Sequence, residues 1–362
     1  RVRGMFRGLG LPPELEVFRS EKAHYRMRAE FRVWHDRGRD DRACHHIMFA
    51  GGGRDAERVR VDTFDVGSRL MNAAMAAVME AANAEDELGR KLYQANYHTT
   101  LSGQCMVTLI YHKVLGEEWR ARAEALRQRL AALPGVQPGH VPAVIGRSRG
   151  KKTALDQDFV VERLQVDGRP LQYKQVEANF SQPNSGMCQK MLGWALDATR
   201  GSEARDLLEL YCGNGNHTCA LAPLFRKVLG VEINSRLVEA ALGNLRANGA
   251  ENATVLRSPS ETFCRRLAKR MRHSDPALGE LDFSAVLVDP PRAGLDTHTR
   301  ELVSKYPHVL YISCNPVTLL ESLEDLSKTH EVRRFAVFDH FPYSSHIECG
   351  VYLQRRPAGG DG

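Results

Sequence analysis

From about residue 206 onward, short apolar runs alternate with amphipathic stretches, and few architectures accept that rhythm. Strand, helix, strand is the unit of a parallel sheet with crossover helices. Leu207-Leu-Glu-Leu-Tyr211 reads as the first strand, before a glycine-containing turn and a helix to about Phe225. Lys227-Val-Leu-Gly-Val-Glu-Ile233 is the second, and Ser235 is placed to cap a helix running to about Ala247. A third strand at 253–256 precedes a helix near 260–271; strands at 284–289 and 308–313 follow, then a helix near 317–328. Arg334-Phe-Ala-Val-Phe338 and Ile347-Glu-Cys-Gly-Val-Tyr-Leu353 complete a sheet of about seven strands, mostly parallel. This is an α/β, Rossmann-like pattern, expected over 178–362.

The first half has another period. Along Tyr25-Arg-Met-Arg-Ala-Glu-Phe-Arg-Val-Trp34, Arg26, Arg28 and Arg32 share one face while Met27, Ala29, Phe31 and Val33 line the other. That is a half-buried strand. Met106-Val-Thr-Leu-Ile-Tyr111 is another, helices are expected at 66–82 and 117–133, and Leu171-Gln-Tyr-Lys-Gln175 is expected to close the region. Residues 1–177 therefore read as an α+β domain on an antiparallel sheet, with Gly51-Gly-Gly53 in a hairpin loop.

Composition limits the setting. A chain of 362 residues can bury two cores. No apolar run approaches the roughly 18 residues that span a bilayer, and no charged-then-apolar leader opens the chain. A soluble, cytoplasmic protein is expected, although a start at Arg1 suggests that N-terminal sequence, with any targeting signal, is missing. The eight cysteines form no C-x-x-C pair and no zinc or iron–sulfur spacing, so reduced thiols and no metal are expected. Net charge is +6, and residues 1–60 hold 14 Lys and Arg against 9 Asp and Glu. Such a stretch is either a solvated surface or a face for a polyanion.

The chemistry concentrates at strand ends. Gly213 and Gly215, between the first strand and its helix, let the backbone approach a ligand. About twenty residues on, Glu232 ends the second strand, placed for ribose hydroxyls unless it is a plain surface acid. A nicotinamide dinucleotide site would need the third glycine of G-x-G-x-x-G, which is absent; S-adenosylmethionine sites tolerate that departure. Asp289, at the fourth strand end, would lie near such a ligand.

Asp289-Pro-Pro-Arg292 is like the Asp/Asn-Pro-Pro-aromatic grip of amino-methyltransferases but lacks the aromatic residue, which favours carbon methylation through a covalent nucleophile. Carbon 5 of uracil is a poor nucleophile until a thiolate adds to C6. Cys314, in Tyr311-Ile-Ser-Cys-Asn-Pro316, is the candidate thiol, a few per cent ionised near neutrality at a free pKa of roughly 8.5. Glu348 is the candidate base that removes the C5 proton so that the thiol can leave. Cys349 should point the other way, into the core.

Phe180-Ser-Gln-Pro-Asn184, Glu209 to Asn216, Asp289-Pro-Pro-Arg-Ala-Gly294, Tyr311 to Pro316 and His346-Ile-Glu-Cys-Gly350 together resemble the tRNA (uracil-5-)-methyltransferase family. The likeness extends to His24–Trp34 and so covers nearly the whole chain. It implies a class I S-adenosylmethionine-dependent enzyme that converts the T-loop uridine of tRNA to 5-methyluridine. It further implies that Gln182, Tyr211, Gly213, Asn216, Glu232 and Asp289 contact S-adenosylmethionine, with Cys314 as nucleophile and Glu348 as base. Related ribosomal RNA enzymes commonly carry a β-barrel RNA-binding module and a four-cysteine iron–sulfur site, neither of which is seen here.

The alternatives are the same chemistry on ribosomal RNA and a noncatalytic tRNA-folding chaperone. The expected partner is the T-arm of tRNA, with a monomeric enzyme and no membrane. A base must be turned out of the loop to reach Cys314. Arg26, Arg28, Arg32 and Tyr93, together with the cations of 147–152, are candidates for cationic and stacking contacts to RNA.

Overall fold

The computed structural model describes residues 2–36, 43–51, 56–202, 204–268 and 281–357. Two sheets and a separate hairpin carry the chain. Glu16–Phe18 (β1) precedes the first sheet, which comprises Arg28–His35 (β2), Cys44–Ala50 (β3), Glu57–Arg60 (β4), Leu92–Thr99 (β5), Cys105–Tyr111 (β6), Ala143–Ser148 (β7) and Lys151–Ala154 (β8). Their order is β4-β3-β2-β5-β6-β7-β8.

The expected antiparallel sheet has one exception, because β6 and β7 run parallel. Parallel neighbours need a crossover, and the helix Glu117–Ala131 lies between them in the chain. With the helix Arg69–Ala84, capped by Ser68 Oγ accepting the Met71 N–H at 3.0 Å, it covers one face of the sheet. Phe31, Val33, Met71, Met75, Leu109, Trp119 and Leu126 share that core. As the alternation predicts, Met27, Ala29, Phe31 and Val33 are buried, and Arg26, Arg28 and Arg32 take the other face. β3 and β4 pair antiparallel across the glycine run, of which Gly52 and Gly53 lie outside the described residues.

Phe159–Val166 (β9) and Arg169–Val176 (β10) form a hairpin of their own. The strand expected to close the first sheet instead docks on the second half. The N–H groups of Gln172 and Lys174 donate to Asn248 Oδ1 (2.9 Å) and Asn244 Oδ1 (2.7 Å). Leu164, Leu171 and Tyr173 join the core that contains Met187, Leu192 and Trp194 of the helix Ser185–Ala198.

The second sheet comprises Asp206–Leu210 (β11), Lys227–Glu232 (β12), Ala253–Arg257 (β13), Phe283–Val288 (β14), His308–Ser313 (β15), His330–Phe338 (β16) and Glu348–Arg355 (β17), with β1 as an eighth strand. Its order is β1-β16-β17-β15-β14-β11-β12-β13, parallel except for β17. Central strands are buried on both faces, as parallel sheets require; Leu207 and Leu287 belong to one core, Leu208 and Val286 to the other. The division at 177 does not describe where the chain changes sheets. Phe6 lies in the second sheet's core, β1 pairs with β16, and Glu16 receives Arg334 at 2.7 and 2.9 Å and the Trp194 indole at 3.0 Å. Asn234, rather than Ser235, caps the helix Ser235–Ala247. The helix Ser260–Ala268 is as expected, with 269–271 outside the described residues.

Candidate active site

Strand order reverses between β11 and β14, where ligands of open α/β sheets bind at the carboxyl ends. Leaving β11, the chain turns through Tyr211 (φ 62°), Gly213 (φ 57°) and Gly215 (φ 78°) into the helix Asn216–Leu221. A Cβ on Gly213 would meet nothing within 4 Å, so this turn borders open space, and its N–H donates to Glu232 Oε2 at 3.0 Å. The other Glu232 oxygen accepts the Asn234 N–H at 2.8 Å. Gln182, Tyr211, Gly213, Asn216, Glu232, Asp289, Cys314 and Glu348 all line one cavity of about 1020 Å³.

The antiparallel β17 brings the last two together. Ser313 of β15 stands opposite Cys349. Cys314 follows that pair in the chain and Glu348 precedes it, and both reach the wall of the cavity. Cys349 is buried in the core, and Cys314 is the one cysteine of the eight that is not buried. Asn-Pro after the thiol is a helix start: Asn315 Oδ1 accepts the Val317 N–H at 3.1 Å and Pro316 opens the helix Pro316–Leu326. Asn315 Nδ2 also donates to the Arg292 carbonyl at 2.9 Å, which latches the cysteine loop to the Asp-Pro-Pro-Arg loop. Gly294 (φ 77°) completes the latch, since a Cβ there would lie 2.8 Å from Thr318 Cβ.

The electrostatics are those of buried acids. Burial pushes the Glu348 carboxyl up to about 8, helped by the charge of Asp289 and opposed by Arg292. Burial pushes Asp289 up to about 7. The Cys314 thiol is also raised, first by burial and then by Glu348 and Asp289, with Arg292 opposing. Its neighbours are acids, so less of it is ionised than the free-thiol value suggests.

A model of the family described as tRNA (Uracil-5-)-methyltransferase matches residues 1–356. The chain belongs to this family. It is similar to the tRNA/tmRNA (uracil-C(5))-methyltransferase of Chromohalobacter salexigens, 49% identical over 95% of this chain and 90% of the relative. The like-named protein of Aeromonas hydrophila is 48% identical over 98% and 92%. The solved structure of Pyrococcus abyssi tRNA (uracil-54, C5)-methyltransferase in complex with S-adenosyl-L-homocysteine has the same fold, with a TM-score of 0.70 at 19% identity over 97% of this chain and 81% of that one. The protein is thus an S-adenosylmethionine-dependent methyltransferase.

In this methyltransferase the four expected RNA-facing residues fall in two places. Arg26 and Arg28 line the cavity; Arg26 Nε donates to the Arg28 carbonyl at 2.8 Å, and Arg28 donates to the Asn179 carbonyl. Arg32 and Tyr93 lie outside it. Tyr93 sits where the β5–β6 register shifts, a bulge that re-aims a side chain. It stacks on His112 at 4.0 Å with 12° between the planes, and the Arg32 guanidinium is 5.4 Å from its ring. Of the 147–152 cations, Arg147 forms a two-pronged pair with Glu177, and Lys152 is paired with Asp158.

Sequence reasoning assigned no role to four residues that also line the cavity. Glu209 accepts the Thr218 hydroxyl at 2.7 Å and is pushed by burial up to about 8. Glu162 accepts the Leu101 N–H at 2.9 Å and the Ser185 hydroxyl, and burial pushes it up to about 7. Both signals were available: Glu209 interrupts the apolar run Leu207–Leu210 of β11, and Glu162 shares the buried face of β9 with Val160 and Leu164. Ser181 Oγ and His217 Nε2 are buried with no partner among the described residues.

Proposed function

We propose that the enzyme methylates C5 of the T-loop uridine of tRNA through a Cys314–C6 adduct that Glu348 resolves. The observation that carries this reading is that Cys314, Glu348 and Asp289 line the wall of one large cavity. At about 1020 Å³ it reaches the upper end of small-molecule sites, roughly 300–1,000 Å³, and so suits a donor together with an extruded base.

The residues present fit S-adenosylmethionine. Glu232 offers carboxylate lone pairs at the sugar end, Gly213 leaves room beside the backbone, and Ser181 and His217 bring unpaired polar atoms to the wall. The cluster of desolvated acids favours a cation there. When bound, the donor supplies an electrophilic methyl group on a sulfonium.

The chain's own residues account for the remaining steps. The Cys314 thiol loses its proton to solvent, the thiolate adds to C6, and the C5–C6 electron pair moves toward the C4 carbonyl. After C5 takes the methyl group, Glu348 removes the C5 proton, the C5–C6 double bond re-forms and the C6–S bond breaks. Arg292, whose charge opposes the rise of both Cys314 and Glu348, holds the two loops together through its carbonyl. Arg26 and Arg28 receive backbone phosphates at the mouth, and the Arg32–Tyr93–His112 stack holds an unpaired base outside it.

The test is transfer of labelled methyl to unmodified tRNA and, separately, to ribosomal RNA. Wild type should methylate tRNA, and Cys314→Ala should lose at least a thousandfold in turnover, as an enzyme does when its nucleophile is removed. Methylation of ribosomal RNA alone, full activity in Cys314→Ala, or RNA binding with no methylation would each overturn the reading.

A further inference from the structure

The hairpin turn joining β7 to β8 is at odds with its own residue. Ser148 pairs with Lys151, so the loop has two residues, Arg149 (φ 48°) and Gly150 (φ 76°), both left-handed. Two-residue hairpin loops of that kind favour Asn-Gly or Asp-Gly. The chain uses Asp-Gly elsewhere: Asp167 (φ 51°) and Gly168 (φ 74°) turn β9 into β10. Arginine lacks the short polar side chain that eases this conformation, and the left-handed backbone is unfavourable for such a residue. Strain kept in a sound turn points to a use for the side chain.

What surrounds the turn suggests the use. A groove of about 480 Å³ runs between it and the Tyr93–His112 stack. Arg147, on its wall, is committed to Glu177. Arg149 and Lys151 are exposed, and no carboxylate among the described residues pairs with either. Two unneutralised cations therefore stand on the rim of a groove that has a stacked aromatic pair in its lining. That combination fits a single RNA strand, with a base against the rings and phosphate oxygens at the rim.

We propose that this groove is a phosphodiester-binding site in which Arg149 and Lys151 hold the RNA backbone beside the base on Tyr93. The inference rests on the reading of the chain as an RNA methyltransferase. It adds a site outside the catalytic cavity that serves affinity rather than chemistry.

The experiment compares wild type, Arg149→Gly/Lys151→Ala and Tyr93→Ala for binding of an unmodified tRNA transcript between 50 and 200 mM KCl. Methyl transfer at saturating tRNA and thermal melting are measured alongside. Each single-strand phosphate contact contributes roughly 0.7 to the slope of log K against log salt. The double variant should therefore bind severalfold more weakly, with a slope shallower by roughly 1.4. Its kcat should match the wild type, and its Tm should not fall below it, because glycine relieves the left-handed turn. Tyr93→Ala should weaken binding with the slope unchanged.

An unchanged slope in the double variant, beside a wild type that binds and methylates tRNA, overturns the groove alone. A wild type that binds no tRNA overturns both the groove and the function on which it rests. A fall in both kcat and Tm in the double variant would make the turn structural and overturn the proposal.

Discussion

The wall of the candidate catalytic cavity and the open face of the first sheet are built on opposite electrostatic terms. In the cavity, Glu162, Glu209, Asp289 and Glu348 are acids that burial holds partly protonated near neutrality. On the sheet, exposed cations are set against rings, as Arg32 is on Tyr93 and as Arg58 is on Trp34 at 4.0 Å. Buried charges are little screened by salt, whereas exposed ones are screened within about 10 Å at 0.1 M. The first region is therefore suited to managing protons and a small cation, the second to a polyanion whose affinity follows ionic strength.

Substitutions can sharpen that contrast. The largest effect should come from the cavity: Glu348→Gln removes the proposed base, so turnover should fall by roughly 10²–10⁴. An RNA–protein adduct should accumulate as a slow band on a denaturing gel. Equal turnover without the band would remove Glu348 from the role.

On the sheet, Tyr93→Ala should raise KM for tRNA by roughly 5- to 150-fold, the equivalent of 1–3 kcal/mol per stacked base, and leave kcat alone. A fall in kcat with KM unchanged would place Tyr93 with the chemistry instead.

The smallest effect is in pH. The proposed base, Glu348, would act only when ionised, and burial holds its carboxyl at about 8. Its active fraction therefore rises with pH, so kcat should climb about tenfold from pH 7 to pH 9, then level. Glu348→Gln should lose that limb. A flat wild-type profile would mean that the donor's cation has already ionised the acid.

Much of the candidate site was legible because its residues lie in short loops directly after apolar strands. Cys314 follows β15 and Asp289 follows β14, so reading the strand also places the residue. The hairpin β9–β10 was misassigned because alternation says which face of a strand is buried, not which sheet it joins; Asn244 and Asn248 decide that from some 70 residues away. β1 is three residues long, too short for a period to show, and its partner strand lies more than 300 residues on. The four cations of 147–152 looked equivalent in sequence, and only their carboxylate partners separate Arg147 and Lys152 from Arg149 and Lys151, which pair with no carboxylate among the described residues.

By itself the sequence determined the rhythm of strands and helices, the two-sided burial of the central strands, and the pairing of a thiol with a helix start in Cys314-Asn-Pro316. Those follow from side-chain size, polarity and local backbone preference. The tertiary structure alone decided that antiparallel insertion of β17 brings Glu348 to the cavity that Cys314 lines, and that burial among acids raises both groups. It also decided that Tyr93 faces His112 rather than the cavity. Register and desolvation depend on residues distant in the chain, and no local pattern records them.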